Sequence, residues 1–266
     1  MTPLVRSIAL PSGVRLSYVE QGNPSGIPVL FLHGVTDSWH SFEPVLPHLP
    51  SFIHAFALTQ RGHGDSGRPA GYRTSDFSAD VTKFVTALSL GRAVIVGHSM
   101  GATNAQRFAI DHPNRMLGLV LAGTFAGYRN NPVVTEFWES AVSKLTDPID
   151  PSFVREFQES TLAHPVTPAF FATVVAESLK VPARVWRAAF EGFLEDDVAN
   201  GLGRIMAPTL VLWGTRDTFA RREDQDALLA AIRSSRLVVY ESAGHALHWE
   251  EPKRFADNLV AFVRTL

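Results

Sequence analysis

The chain has 266 residues, 45% of them hydrophobic, and a formal net charge of −2. This length suits one large domain or a core carrying an insertion, with enough apolar residues for a sizeable interior. The near-neutral balance offers no broad basic surface to nucleic acid, and the absence of cysteine excludes disulfides, thiolate zinc sites and thiol catalysis.

Met1 to Glu20 lacks the continuous apolar segment of a signal peptide. No later run approaches the roughly 20 apolar residues that span a bilayer. The expected location is the cytoplasm, with no membrane partner. From Val14, VRLSYVEQG alternates and ends in a Gly-Asn-Pro-Ser-Gly turn, which predicts an antiparallel strand. From Pro28, PVLFLHG is apolar without alternation, as in a strand buried on both faces. IHAFALTQ from Ile53 reads as another strand. Ser75 to Ser89 spaces Phe77, Val81, Phe84, Val85 and Leu88 at helical intervals. RAVIVGHS from Arg92 is the clearest strand, followed by a helix over Gly101 to His112 and a strand at LGLVLAG from Leu117. Between Phe125 and Gly203 the alternation stops. FWESAVSKL, FVREFQES, FFATVVAESL and ARVWRAAFEGFLEDD read as amphipathic helices between Pro-containing loops. Strands resume with APTLVLWG from Ala207 and RLVVYES from Arg236, and helices are expected at Asp224 to Ile232 and Pro252 to Leu266. Such β–α alternation predicts a mostly parallel sheet covered by helices. The expected division is a core of 1–124 and 204–266 with a helical insertion over 125–203.

Gly97-His98-Ser99-Met100-Gly101 is a G-x-S-x-G pattern between a predicted strand and a predicted helix. A sharp turn there lifts the serine above the sheet and aims free helix amides at developing negative charge. A serine hydroxyl needs a base. His245 follows the strand RLVVYES on a Gly-containing loop and is the first candidate; His248 is the second. The base needs a carboxylate to orient it. Asp217 lies three residues beyond Gly214, at a strand end where open α/β sheets gather active residues. Asp224 and Asp226 fall in a predicted helix, and the loop Thr124 to Gly127 holds no acid. The amides of Val35 and Met100 are the expected oxyanion donors. His33, beside Val35, is read as holding the loop by hydrogen bonds. Phe125 and Phe219 are candidate pocket residues. Most other aromatics between Phe125 and Gly203 are expected to pack as core.

These motifs together resemble the α/β-hydrolase superfamily. The residues carrying the resemblance are His33-Gly34, Arg61-Gly62-His63-Gly64-Asp65-Ser66, Gly97 to Gly101, Asp217 and Gly244-His245. The resemblance implies an eight-stranded sheet with a helical cap inserted after the sixth strand. It also implies that the Gly62 to Asp65 loop fixes a turn and takes no part in catalysis. Thr59-Gln60 departs from the Asp-aromatic pair common in relatives, and Ala102 replaces a frequent glycine. His33 to Trp39 is similar to the epoxide-hydrolase and dehalogenase branch, whose nucleophile is aspartate. Ser99 argues against that chemistry, because a serine alkyl ether is not hydrolysed as an ester is. The expected function is cofactor-independent hydrolysis of a small, mainly apolar ester or lactone through a Ser99–His245–Asp217 triad. A C–C bond hydrolase of the meta-cleavage-product type is the alternative, and perhydrolysis, hydroxynitrile lyase chemistry and a non-catalytic small-molecule receptor also occur on this fold.

Overall fold

The computed structural model describes residues 4–129, 131–196 and 198–266. Its strands are β1 (Val5–Ala9), β2 (Arg15–Gln21), β3 (Ile27–Leu32), β4 (Ile53–Leu58), β5 (Ala93–His98), β6 (Met116–Ala122), β7 (Thr209–Gly214) and β8 (Ser235–Tyr240). They form one sheet in the order β1-β2-β4-β3-β5-β6-β7-β8. β2 runs antiparallel to β1 and β4, and the remaining pairs are parallel. The antiparallel reading of the Val14 run therefore holds. Strand β1 adds an eighth strand to the seven read directly from the sequence, in agreement with the number the resemblance implied.

The central strands divide their side chains between two cores, as the two-residue period of a strand requires. Leu30, Leu32, Ile95, Leu119 and Leu121 join one core with Val81, Phe84 and Phe108. These last three come from α1 (Thr74–Ala87) and α2 (Met100–Asp111). Val29, Phe31, Val94, Val96 and Val120 join the other core with Phe255, Leu259 and Phe262 of α9 (Pro252–Val263). Each such fully buried side chain contributes about 2 kcal/mol. The sheet is thereby fixed as a rigid platform whose parallel strands all end on one side.

Between β6 and β7 the described residues form α3 (Pro132–Ser140), α4 (Pro151–Ser160), α5 (Pro168–Leu179) and α6 (Ala183–Glu195), with no strand among them. Proline opens α3, α4 and α5, where its missing N–H costs nothing and its fixed φ suits the first turn. Asn131 and Asp150 cap the first two of these through side-chain oxygens. Pro148 and Pro165 lie in the expected loops, whereas Pro132, Pro151 and Pro168 are helix starts. Helices α7 (Arg222–Ala231) and α8 (Leu247–Glu250) complete the chain. No helix among the described residues is long and apolar enough to cross a membrane.

Candidate active site

Ser99 alone separates β5 from α2, at φ 51° and ψ −117°. A side-chain-bearing residue is strained there by about 1–3 kcal/mol. Two glycines make the turn possible. A Cβ on Gly97 would lie 2.3 Å from the Gly101 carbonyl oxygen, and one on Gly101 would lie 2.1 Å from that of Leu32. α2 therefore packs directly on the end of β3. The Ser99 N–H donates to the Ala122 carbonyl on β6 at 3.0 Å. The backbone of Ser99 is thus pinned from three sides, and its side chain faces a cavity.

His245 faces the same cavity from the loop after β8. Its Nδ1 lies 2.9 Å from Oδ2 of Asp217, which comes from the loop after β7. The other Asp217 oxygen accepts the amides of Phe219 and Ala220, each at 2.9 Å. Those two bonds hold the carboxylate so that Oδ2 meets the imidazole. Donation from Nδ1 leaves Nε2 as the basic nitrogen of the neutral ring. Both side chains are buried, which strengthens the pairing over one in water.

The cavity, together with the open solvent at its mouth, amounts to about 570 Å³ of space free of protein atoms. Phe125, Tyr128, Phe137, Phe157, Phe190 and Phe193 form much of its wall, with Phe219 beside His245. Val35 and Met100 line it next to Ser99. Among the described residues, neither of their amides donates to a protein acceptor. The Met100 amide is free because it opens α2. The Val35 amide precedes Thr36, which sits at φ 69° and turns the loop back over the strand end.

A family model described as the alpha/beta hydrolase fold matches residues 27–252. The chain belongs to the α/β-hydrolase fold family. A 2-(acetamidomethylene)succinate hydrolase from Mesorhizobium japonicum is 36% identical over 108 residues, which is 40% of this chain and 38% of that protein. A 2-hydroxy-6-oxononadienedioate/2-hydroxy-6-oxononatrienedioate hydrolase from Paraburkholderia xenovorans is 27% identical over 94% of this chain and 91% of its own. An esterase structure from Exiguobacterium antarcticum superposes with a TM-score of 0.85 at 23% identity, covering 97% of this chain and 98% of that one.

In the α/β-hydrolase frame Val35, Ser99, Met100, Phe125, Phe219 and His245 line one cavity, Asp217 stands behind His245, and the second choices lie elsewhere. His248 lies on α8 with its Nε2 3.0 Å from the Ser41 hydroxyl, and burial pushes its pKa down to about 3. Asp224 accepts the Arg221 amide at the start of α7, and Asp226 pairs with Arg222 on the surface. His33 does hold its loop. Its Nδ1 donates to the Gly34 carbonyl at 2.7 Å, and its Nε2 accepts the Gln60 amide at 2.9 Å. Burial, then the neighbouring His63, keeps its pKa well below the usual value, as that accepting role requires. Gln60, the departure from the usual α/β-hydrolase pattern, returns a bond to the His33 carbonyl at 2.8 Å and receives one from Asn104 of α2 at 2.9 Å. It clamps the Val35 loop to the helix that carries Met100. Asp65 differs from expectation: its exposed side chain pairs with Lys180, and Ser66 braces the turn by donating to the Thr59 carbonyl.

The cavity residues Asp37, Val134, Gln158, Thr161 and Trp249 escaped the sequence reading, and His98 entered it only as part of the serine motif. His98 carried a signal, because it immediately precedes Ser99. Gln158 carried none, since α4 meets the Val35 loop only through contacts more than 120 residues apart in sequence.

Proposed function

We propose that the protein is a serine hydrolase that cleaves a carboxylic ester or lactone through an acyl-enzyme, without a cofactor. The convergence of Ser99, the Asp217-backed His245 and two unpartnered amides on one apolar cavity carries this reading. His245 takes the Ser99 proton through Nε2 as Oγ attacks the carbonyl carbon. The amides of Val35 and Met100 hold the oxyanion, and His245 returns the proton to the leaving alcohol. Water then attacks the acyl-enzyme with the same base, regenerating Ser99 and releasing the acid. Asp217 keeps the imidazole in its working tautomer and stabilises its charged form without itself taking the proton. Residues 125–203 act as a cap that closes the cavity, and 1–124 with 204–266 supply the catalytic core.

The likeness to the 2-hydroxy-6-oxononadienedioate/2-hydroxy-6-oxononatrienedioate hydrolase supports C–C bond cleavage of the meta-cleavage-product type as the second reading. The cavity wall weighs against a dianionic substrate, because no Lys or Arg among the described residues lines it and a buried carboxylate without a cation is costly. Turnover of p-nitrophenyl butyrate, compared with that of a meta-cleavage dienoate, separates the two. Ser99→Ala is expected to lower ester kcat by about 10⁶-fold, toward the level of an enzyme without its nucleophile. Wild-type turnover by Ser99→Ala would overturn the assignment.

A further inference from the structure

The Ser99 cavity has one polar corner that the proposed reaction does not use. Asp37, in the loop after β3, and Gln158, on α4, both line it and are almost wholly buried. The Asp37 carboxyl meets three protein donors. Ser41 Oγ donates to Oδ2 at 3.2 Å, Gln158 Nε2 donates to Oδ1 at 3.2 Å, and the Gly34 amide also faces it. An ionised carboxylate offers about four acceptor positions, so one stays open. A protonated carboxyl in the same place can donate its O–H either to Ser41 Oγ, 3.2 Å away, or to a group held in the cavity. Burial raises its pKa to about 7, so both forms are populated near neutrality. A hydroxyl is the neutral group that satisfies either form, donating to one and accepting from the other.

We infer that Asp37, held by Gln158, is a specificity-determining residue that binds a hydroxyl group on the substrate, so that the enzyme acts on hydroxy-substituted esters or lactones. This rests on the serine-hydrolase reading above. A role confined to tying α4 to the core does not account for Asp37. Gln158 Nε2 already reaches Thr36 Oγ1 at 3.1 Å and Ser178 Oγ at 2.7 Å, and Thr36 in turn meets Ser178 at 3.1 Å. Neither Thr36 nor Ser178 lines the cavity, whereas Asp37 does. A few placed polar groups in an apolar pocket select by rejection. A ligand that cannot match them leaves them buried and unpaired.

The test is kcat/KM for matched esters: p-nitrophenyl butyrate against p-nitrophenyl 3-hydroxybutyrate, and propyl butyrate against 3-hydroxypropyl butyrate. Wild type is expected to favour the hydroxylated member of at least one pair by about tenfold or more. In Asp37→Leu, checked for folding by its melting transition, that ratio is expected to fall to within about twofold. Ser99-dependent hydrolysis with no hydroxyl preference in wild type overturns this inference and leaves the serine-hydrolase reading standing. A preference that survives in folded Asp37→Leu also overturns it, as does a greater preference for p-nitrophenyl 3-aminobutyrate. Absence of Ser99-dependent ester hydrolysis takes down both readings. Where Asp37→Leu does not fold, Asp37→Ala takes its place in the same comparison, and absence of preference in wild type overturns the inference without either variant.

Discussion

Two of the buried carboxylates in this protein do opposite work. Asp217 is supplied with two backbone donors and an imidazole, so its charge has partners on both oxygens. Replacing it with Asn keeps the shape but lets the amide donate where the carboxylate accepted, turning His245 toward the wrong tautomer. Asp217→Asn is expected to lower kcat by about 10⁴-fold with little change in thermal unfolding, read by steady-state kinetics beside calorimetry. Asp37 has partners too weak to offset its burial, and its pKa stands at about 7 against 3.8 for the free side chain. The folded state therefore keeps a proton that the unfolded chain has lost. Its contribution is fully present below pH 3.8 and is lost as pH rises through 7. Asp37→Asn is expected to raise Tm more at pH 8.5 than at pH 5; an equal change at both would show that charge is not the cause. Asp217 could be read in the sequence because strand ends advertise themselves. Asp37 lies within the stretch His33 to Trp39, but its burial depends on Ser41 and on a helix far along the chain.

At the scale of elements, the decisive contact is the seating of α2 on β3. Gly101→Ala would drive a methyl group into the Leu32 carbonyl and lift the amide of Met100 from its place. We expect it to cost about 1–3 kcal/mol in urea unfolding and to lower kcat more than it raises KM, since an oxyanion donor acts in the transition state. The elements at the centre of the sheet were legible because their apolar runs face helices on both sides. β1 was not, because VRSIA lies on an open edge with its residues mostly exposed and no burial pattern to mark it. The helices of 132–195 were legible as helices. Which of their aromatics face the cavity was not: Phe153 and Phe157 on α4, like Trp186 and Phe190 on α6, stand four residues apart on one helix face, yet only Phe157 and Phe190 line the cavity.

Across the whole molecule, four buried histidines set the response to acid. Burial lowers the pKa of His33 and His98 well below 6.5, of His63 to about 4 and of His248 to about 3. Below pH 6.5 the unfolded chain binds protons that the folded chain refuses, so stability falls as pH drops through that window. Asp37 opposes this trend, but as one group against four. Tm is expected to fall steadily from pH 6.5 to pH 4.5, and His248→Asn, which cannot ionise, to flatten the slope; a Tm flat over that range would refute the linkage. The strained Thr36 turn has a consequence for protein engineering. The insertion leaves the sheet at β6 and rejoins it at the adjacent β7, which invites its exchange for one from another hydrolase. Yet Thr36 and Asp37 belong to the host, and their partners Gln158 and Ser178 travel with the cassette. A transplanted insertion without those two side chains would strand the host's polar atoms, so a chimera should be chosen by this four-residue seam before its pocket is considered.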